Sequence, residues 1–171
     1  MLRAELVVAT RINNVLFLCT HNAARSIMAE AITNDVGRGS FKGYSAGSHA
    51  ATVPNPLALE TLRRLSFPTD GLYSKNWEEF AKPDAPVMDF VITVCDNAAG
   101  EVCPVWPGRP ITAHWGVEDP SLFQGNDDAK SREFTRVASI LKRRIELFTS
   151  LPLDKLDRLK LEKTVRDLGK R

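Results

Sequence analysis

The stretch NNVLFLCTHNAARSIMAEAI, residues 13–32, decides the fold and directs attention to one side chain. Its aliphatic run from Val15 to Leu18 is typical of a short buried strand, and the run ends at Cys19. From about residue 24 the apolar residues recur at helical spacing, and Gly37 is a stop signal for that helix. A structural cysteine would fit inside the apolar run, whereas Cys19 stands at its edge and precedes small and polar residues. We therefore interpret Cys19 as a presented side chain.

The bulk composition defines the broad class of protein. A chain of 171 residues with 43% hydrophobic and 26% charged residues fits one globular domain with a sizeable core. The 23 basic residues nearly match the 21 acidic ones, which argues against nucleic-acid binding. No apolar stretch approaches the roughly 20 residues of a membrane span, and residues 1–14 lack the features of a signal peptide. We expect a cytoplasmic protein without a membrane partner.

The three cysteines point to thiol chemistry. Cys19, Cys95 and Cys103 are an odd number, which argues against a static disulfide framework. The gap between Cys95 and Cys103 is longer than in usual zinc knuckles, and no second pair completes a site. We predict no metal and no cofactor. Alternatively, the free cysteines serve as small buried hydrophobic residues. Cys95 would fit that role, whereas Cys103, in a loop beside a proline, fits it poorly.

The remaining pattern alternates strands and helices. Strands are predicted over 41–48, 88–95 and 111–115. Helices are predicted over 54–65, 74–81, with Ser74 as a cap signal, and 127–151, and a last amphipathic helix follows Pro152 with Leu156, Leu159, Val165 and Leu168 on one side. Such alternation predicts an α/β fold with a four-stranded parallel sheet flanked by helices. We predict a single domain over 1–171, with a core over about 13–150 and a C-terminal helical extension over 151–171.

The loop after the first strand has the features of an oxyanion site. Ligands of parallel α/β folds bind beyond the carboxyl ends of the strands, where Cys19 lies. Backbone N–H groups of Thr20–Ala24 and the N-terminus of the next helix form an anion nest, and Arg25 adds a planar fork of donors. The same field predicts a lowered pKa for Cys19, with Ser26 as a hydrogen-bond donor to the sulfur. An unremarkable turn with a chance cysteine is the alternative, and the loop lacks the glycines of a dinucleotide site.

This motif resembles the signature of the low-molecular-weight protein tyrosine phosphatase family, a strand followed by C-x-x-N-x-x-R-S and a helix with Ala-Glu. The matching residues are Cys19, Asn22, Arg25, Ser26, Ala29 and Glu30. The stretches YSAGS (44–48) and HWGVEDPS (114–121) also match, and the resemblance covers about residues 13–150. It implies that Asp119, before Pro120, is a general acid. It also implies an oxyanion site made of Thr20, His21, Asn22, Ala23, Ala24, Arg25 and Ser26.

Within this fold the chain is similar to the thioredoxin-coupled arsenate reductases. It has Ala24 where the phosphatases commonly have a second cysteine, and Ser121 and Leu122 where they commonly have an aromatic pair. It also has Cys95 and Cys103 flanking a loop. The similarity implies that Cys19 attacks arsenate, Cys95 attacks Cys19 as arsenite leaves, and Cys103 then takes over the disulfide. Because disulfide geometry is narrow, the loop 96–110 would have to move.

Several alternatives stay open at this stage. Seven residues separate Cys95 from Cys103, against six in the best-described arsenate reductases, so the reductant is either thioredoxin or glutathione with glutaredoxin. Phosphate and sulfate are expected as competing oxyanions. A phosphotyrosine phosphatase would use Cys19, Arg25 and Asp119 alone. A non-enzymatic redox or oxyanion sensor would have no need of Asp119.

Overall fold

The computed structural model describes residues 11–96 and 104–171, and its centre is a parallel sheet. The four strands are β1 (Asn13–Cys19), β2 (Phe41–Gly47), β3 (Phe90–Thr93) and β4 (Ile111–His114). All neighbours are parallel, in the order β2-β1-β3-β4. The predicted fold class, an α/β domain with a four-stranded parallel sheet, is confirmed.

In the described part of the chain, four α-helices surround the sheet. They are α1 (Arg25–Val36), α2 (Pro56–Arg64), α3 (Asp127–Thr149) and α4 (Arg158–Leu168). Their starts follow from side-chain caps: Asn55, Asn126 and Asp157 each accept a hydrogen bond from a backbone N–H in the first turn. Pro56 stands at the first position of α2, where no N–H is needed. In α1 the N-cap residue Ala24 offers no side-chain cap, so this helix start is left open.

Two of the predicted helices differ from the structure. Residues 77–80 form a short 3₁₀ helix, and Ser74 does not cap it but donates to the carbonyl of Asn22 at 2.7 Å. The last helix begins at Arg158 after a 3₁₀ turn over Leu153–Lys155. Its predicted apolar Leu159 is 80% exposed, and Leu161 packs into the core instead.

The sheet separates a large core from a smaller one. On one side, α1, α3 and α4 pack with β1 and β4 around Phe17, Trp115 and Phe148. On the other side, Leu16 and Leu18 pack with Trp77 and Phe80. Val15 to Leu18 have no exposed surface because β1 is central and both its faces are covered. Within the described ranges, no helix has the length and apolarity to cross a bilayer.

The topology brings both described cysteines to one edge of the sheet. β1 ends at Cys19, and β3, its neighbour, is followed two residues later by Cys95. The pairing continues past β3, because the Val94 N–H donates to the Leu18 carbonyl at 2.8 Å. The carboxyl ends of β1 and β3 therefore hold the two thiols side by side.

Candidate active site

The carbonyls of the loop between β1 and α1 are held away from Cys19. Those of Thr20, His21 and Ala23 accept hydrogen bonds of 2.8 Å from the N–H groups of residues 49, 51 and 55, respectively. The Asn22 carbonyl accepts from the Ser74 hydroxyl at 2.7 Å. Four successive carbonyls are thus fixed by partners outside the loop.

This arrangement fixes where the N–H groups of the same loop point. The peptide bonds are trans, so each N–H points opposite to the carbonyl of the same peptide unit. The N–H groups of residues 21–24 therefore face the other side of the loop, and the Asn22 N–H donates to the Cys19 sulfur at 3.2 Å. Together with the open start of α1 they form a concave set of donors, which binds anions well.

Two backbone features allow the loop to close around the sulfur. Asn22 has a φ of 48°, a left-handed conformation that Asn tolerates better than most residues. At the end of β2, a Cβ on Gly47 would lie 2.5 Å from the Thr20 carbonyl oxygen and 2.9 Å from the Asn22 nitrogen. Glycine at residue 47 is therefore required for the close approach of β2 to the loop.

Asn22 connects the loop to two other segments through its side chain. Its amide nitrogen donates to the hydroxyls of Ser26 at 2.8 Å and Ser45 at 2.9 Å, and its amide oxygen accepts from the Lys75 N–H at 2.9 Å. The residue has no exposed surface. An Asn with three satisfied buried contacts holds the loop in one conformation.

Behind Asn22 lies an ion pair between the buried Lys75 and the largely buried Glu30, which the sequence analysis missed. The Lys75 ammonium lies 3.7 Å from a Glu30 oxygen and donates to the Ser45 carbonyl at 3.0 Å. The Ser45 hydroxyl donates to the same Glu30 oxygen at 2.5 Å. Burial raises the pKa of Glu30 and lowers that of Lys75, while their mutual attraction opposes both shifts. No local pattern around Lys75 signals this role, because its partners are more than twenty residues away along the chain.

Cys19 is only 3% exposed, and its environment acts in two directions. Burial raises the pKa of the thiol most strongly, and the neighbouring Cys95 adds to the rise. The Ser26 hydroxyl, 2.9 Å from the sulfur, and the Asn22 N–H oppose it. The net shift is upward, so the predicted lowered pKa of Cys19 is wrong in direction; Ser26 does contact the sulfur as predicted.

Arg25 and Asp119 lie together beside the loop. The Arg25 guanidinium lies 3.3 Å from a carboxylate oxygen of Asp119 and donates to the Val117 carbonyl at 3.0 Å. Asp119 caps the turn that follows it, accepting from the N–H of Ser121 at 2.9 Å and from its hydroxyl at 2.7 Å. An anion held by Arg25 would therefore lie within reach of the Asp119 carboxyl group.

Cys95 is buried and lies next to the same loop. Its sulfur is 3.6 Å from the hydroxyl of Thr20, the residue after Cys19. The carboxylate of Asp96, the residue after Cys95, lies 2.7 Å from the Nε2 atom of His114. The Nδ1 atom of the same ring lies 2.7 Å from the Thr93 hydroxyl. Cys103 and most of the predicted loop 96–110 lie outside the described residues.

A cavity of about 800 Å³ opens beside these groups. Thr20, Arg25, Cys95 and Asp119 line one part of it, and the half-exposed His114 lines another. Of the predicted oxyanion residues, His21 lies at the cavity with an exposed side chain, and Ala23, Ala24 and Ser26 contribute to the loop and to the helix start. In the described part of the chain, no three His, Cys, Asp or Glu side chains gather as metal ligands would.

The geometry defines a class of protein: an α/β fold with a buried cysteine inside a donor-lined loop between a strand and a helix. A model of the low molecular weight phosphotyrosine protein phosphatase family matches residues 14–163. The chain belongs to this family, and the sequence-based identification is confirmed.

Within this family, several relatives of the chain are arsenate reductases. An arsenate reductase of Halalkalibacterium halodurans is 34% identical over 134 residues, which are 78% of this chain and 93% of the relative. One of Bacillus subtilis is 32% identical with the same coverage. Among solved structures, an arsenate reductase in its phosphate-binding state matches with a TM-score of 0.65 and 27% identity, over 81% of this chain and 97% of the other. A thioredoxin-dependent arsenate reductase of Corynebacterium glutamicum matches with a TM-score of 0.54 and 29% identity, over 84% and 67%.

Proposed function

We propose that this protein reduces arsenate to arsenite and that Cys19 is the nucleophile. The observation that carries the proposal is the juxtaposition of a donor-lined loop around Cys19 with a second thiol, Cys95, at the same edge of the sheet. The arsenate reductases among the relatives support the same enzyme type. Hydrolysis of a phosphate ester needs one thiol, whereas reduction of arsenic(V) to arsenic(III) needs two electrons, which two thiols supply.

The first step uses the loop and the two residues beside it. The loop N–H groups and Arg25 hold the arsenate oxygens, and the Cys19 thiolate attacks arsenic. Asp119 donates a proton to the departing oxygen, which leaves as water. The product of this step is a Cys19–arsenic bond.

The second step is the reduction. The Cys95 thiolate attacks the Cys19 sulfur, the arsenic–sulfur bond breaks, and its electron pair goes to arsenic, which leaves as arsenite. A Cys19–Cys95 disulfide remains. Thr20, whose hydroxyl lies 3.6 Å from the Cys95 sulfur, donates to the attacking thiolate. Cys103 then attacks Cys95, which frees Cys19 and produces a Cys95–Cys103 disulfide.

Reduction of that disulfide closes the cycle. We propose thioredoxin, which the Corynebacterium glutamicum relative uses, or glutathione with glutaredoxin as the reductant. Phosphate and sulfate would compete for the loop, since they share the tetrahedral anionic shape of arsenate. Because the relay needs its cysteines reduced at the start, we propose that the protein acts in the cytoplasm.

A single turnover tests the proposal. The fully reduced protein, freed of reductant, is mixed with arsenate, and released arsenite and remaining thiols are counted. We expect one arsenite and the loss of two thiols per chain. Cys95→Ser should stop arsenite release, and Cys103→Ser should permit release but stop recycling by thioredoxin. Asp119→Asn should slow the first step by about 10²-fold.

The phosphatase alternative provides the contrary outcome. If no arsenite appears with either reductant system and an aryl phosphate is hydrolysed through Cys19, the protein is a phosphatase. Cys19→Ser is the matched control, since it keeps the loop and removes the nucleophile from both reactions.

A further inference from the structure

The cavity beside Cys95 is larger than arsenate requires. Its volume of about 800 Å³ lies in the range of sites for whole small molecules. Arsenate has only five heavy atoms, and the loop residues Thr20 and His21 together with Arg25 form only part of the cavity lining. Cys95, the thiol that is proposed to end up in a disulfide, lines the same cavity.

Part of the cavity wall comes from the C-terminal end of α4 and the residues that follow it. Arg166, Gly169 and Lys170 line it, and all three lie beyond residue 163, where the family match stops. A Cβ on Gly169 would lie 2.3 Å from the His114 carbonyl oxygen, so α4 ends in close contact with the segment after β4. The Trp115 indole fixes this contact by donating to the Val165 carbonyl at 2.8 Å.

The charges of the cavity leave a cationic wall. Two of its three carboxylates are paired with arginines, Asp119 with Arg25 and Glu118 with Arg136, and the third, Asp96, is hydrogen-bonded to His114. Arg166 has no carboxylate partner among the residues that the structure describes, and Lys170 has only a 3.5 Å contact with Asp167. The carbonyl end of α4 carries partial negative charge, so these two cations are what make the wall attractive to anions.

We infer that Arg166 and Lys170 bind the carboxylates of a low-molecular-weight thiol that reduces the enzyme at Cys95. This inference rests on the proposed reduction through Cys19 and Cys95. A concave cavity of this volume suits a peptide-sized thiol, whereas a protein reductant needs a broad surface. Arg166 supplies the planar fork that suits a carboxylate.

The chemistry balances with the thiol as the sole co-reactant. Its thiolate attacks Cys95 in the Cys19–Cys95 disulfide, which produces a mixed disulfide on Cys95 and releases the Cys19 thiolate. A second thiol molecule attacks the small-molecule sulfur of the mixed disulfide and releases the Cys95 thiolate. Two thiols become one small-molecule disulfide, and the enzyme gains two electrons. This route bypasses Cys103.

The test uses the full chain with Cys103→Ser, which stops the relay at the Cys19–Cys95 disulfide. That disulfide is formed by a single turnover with arsenate or, separately, by the oxidant diamide. Its reduction is then followed with mercaptosuccinate and glutathione, which carry carboxylates, and with uncharged 2-mercaptoethanol. Arg166→Gln with Lys170→Gln should slow the two anionic thiols about fivefold and leave 2-mercaptoethanol unchanged. Raising the salt from about 0.05 to about 0.5 M should reduce the difference.

The control removes the same charge elsewhere on α4. Lys160→Gln with Lys163→Gln changes two exposed cations outside the cavity lining and should alter none of the rates. Equal slowing by both double variants, equal slowing of all three thiols, or reduction by thioredoxin alone would each overturn the inference. Because diamide forms the disulfide without arsenate, a failure of arsenate reduction would count against the proposed function only.

Discussion

Cys19 and Cys95, the two described cysteines, differ in how firmly neighbouring contacts fix the segments around them. Around Cys19, the contacts join buried groups, and the side chain of Asn22 connects the loop both to β2 and to the segment at Lys75. Around Cys95, the contacts lead to side chains at the cavity: the half-exposed His114 and Asp96, whose side chain is 92% exposed. The difference suits the proposed chemistry. An oxyanion is best held by a preorganised site, whereas a thiol that exchanges partners must be able to leave its position.

Arg25→Lys should have the largest effect. The lysine keeps the charge but loses the planar fork that matches two oxygens of arsenate and that contacts both Asp119 and the Val117 carbonyl. We expect arsenite release in a single turnover to fall about 10³-fold. Unchanged thermal unfolding would attribute the loss to binding and catalysis, and a loss below tenfold would contradict the proposed role of Arg25.

Lys75→Met should lower the free energy of unfolding by removing the ion pair behind the Cys19 loop. Removing the ammonium leaves Glu30 buried without its cation, which costs about 3 kcal/mol of unfolding free energy at neutral pH. The pKa of Glu30 is already raised by burial, and it should rise further without Lys75. A raised pKa in the folded state stabilises at low pH and loses that contribution as pH increases through the folded value.

The deficit of Lys75→Met should therefore be small near pH 4 and grow toward pH 8, as urea unfolding at several pH values would measure. Lys82→Met, which changes an exposed lysine, is the control and should show neither effect. A deficit independent of pH would contradict the pairing of Lys75 with Glu30.

Ser26→Ala tests whether the Ser26 hydroxyl stabilises the thiolate of Cys19. The hydroxyl lowers the pKa of Cys19 against the effect of burial, so its removal should raise that pKa further. Alkylation of Cys19 by iodoacetamide should then begin at higher pH and be slower near pH 7. Ser40→Ala, which changes an exposed serine, is the control. A shift toward lower pH would show that Ser26 does not stabilise the thiolate.

Thr20→Val should have the smallest effect and should act on the other cysteine. It keeps the size of the side chain and removes the hydroxyl next to Cys95. We expect disulfide formation to slow about threefold, with hydrolysis of an aryl phosphate unchanged, since that reaction does not use Cys95. Equal slowing of both reactions would assign Thr20 to the Cys19 side and weaken the contrast between the two cysteines.

The local part of the site could be predicted from the sequence, and the long-range part could not. The apolar run before Cys19 and the helical spacing after it identify the strand, the loop and the helix, and the structure has β1 and α1 there. The pKa direction of Cys19 was wrong because the donors near the sulfur can be read from the motif, whereas its burial depends on segments packed over the loop.

Lys75 and Arg166 show the same limit. Lys75 stands in a stretch with an ordinary capping pattern, and its buried partner Glu30 belongs to α1. Arg166 stands on the charged side of an amphipathic helix, which is typical of a solvated face. Only the packing of α4 against β4 and Trp115 brings it to the cavity. Both roles depend on contacts that periodicity does not encode.

The strand order has a consequence for folding. β1 and β3 are neighbours in the sheet, yet Thr20 and Cys95 are 75 positions apart in the chain. Contacts of such high sequence separation are slow to form, because a long loop must close first. Pairing of β1 with β3 is therefore the slow step that holds the two thiols side by side. If a fast oxidant is added during refolding, the rate at which the Cys19–Cys95 disulfide forms would report the rate of β1–β3 pairing without any added probe.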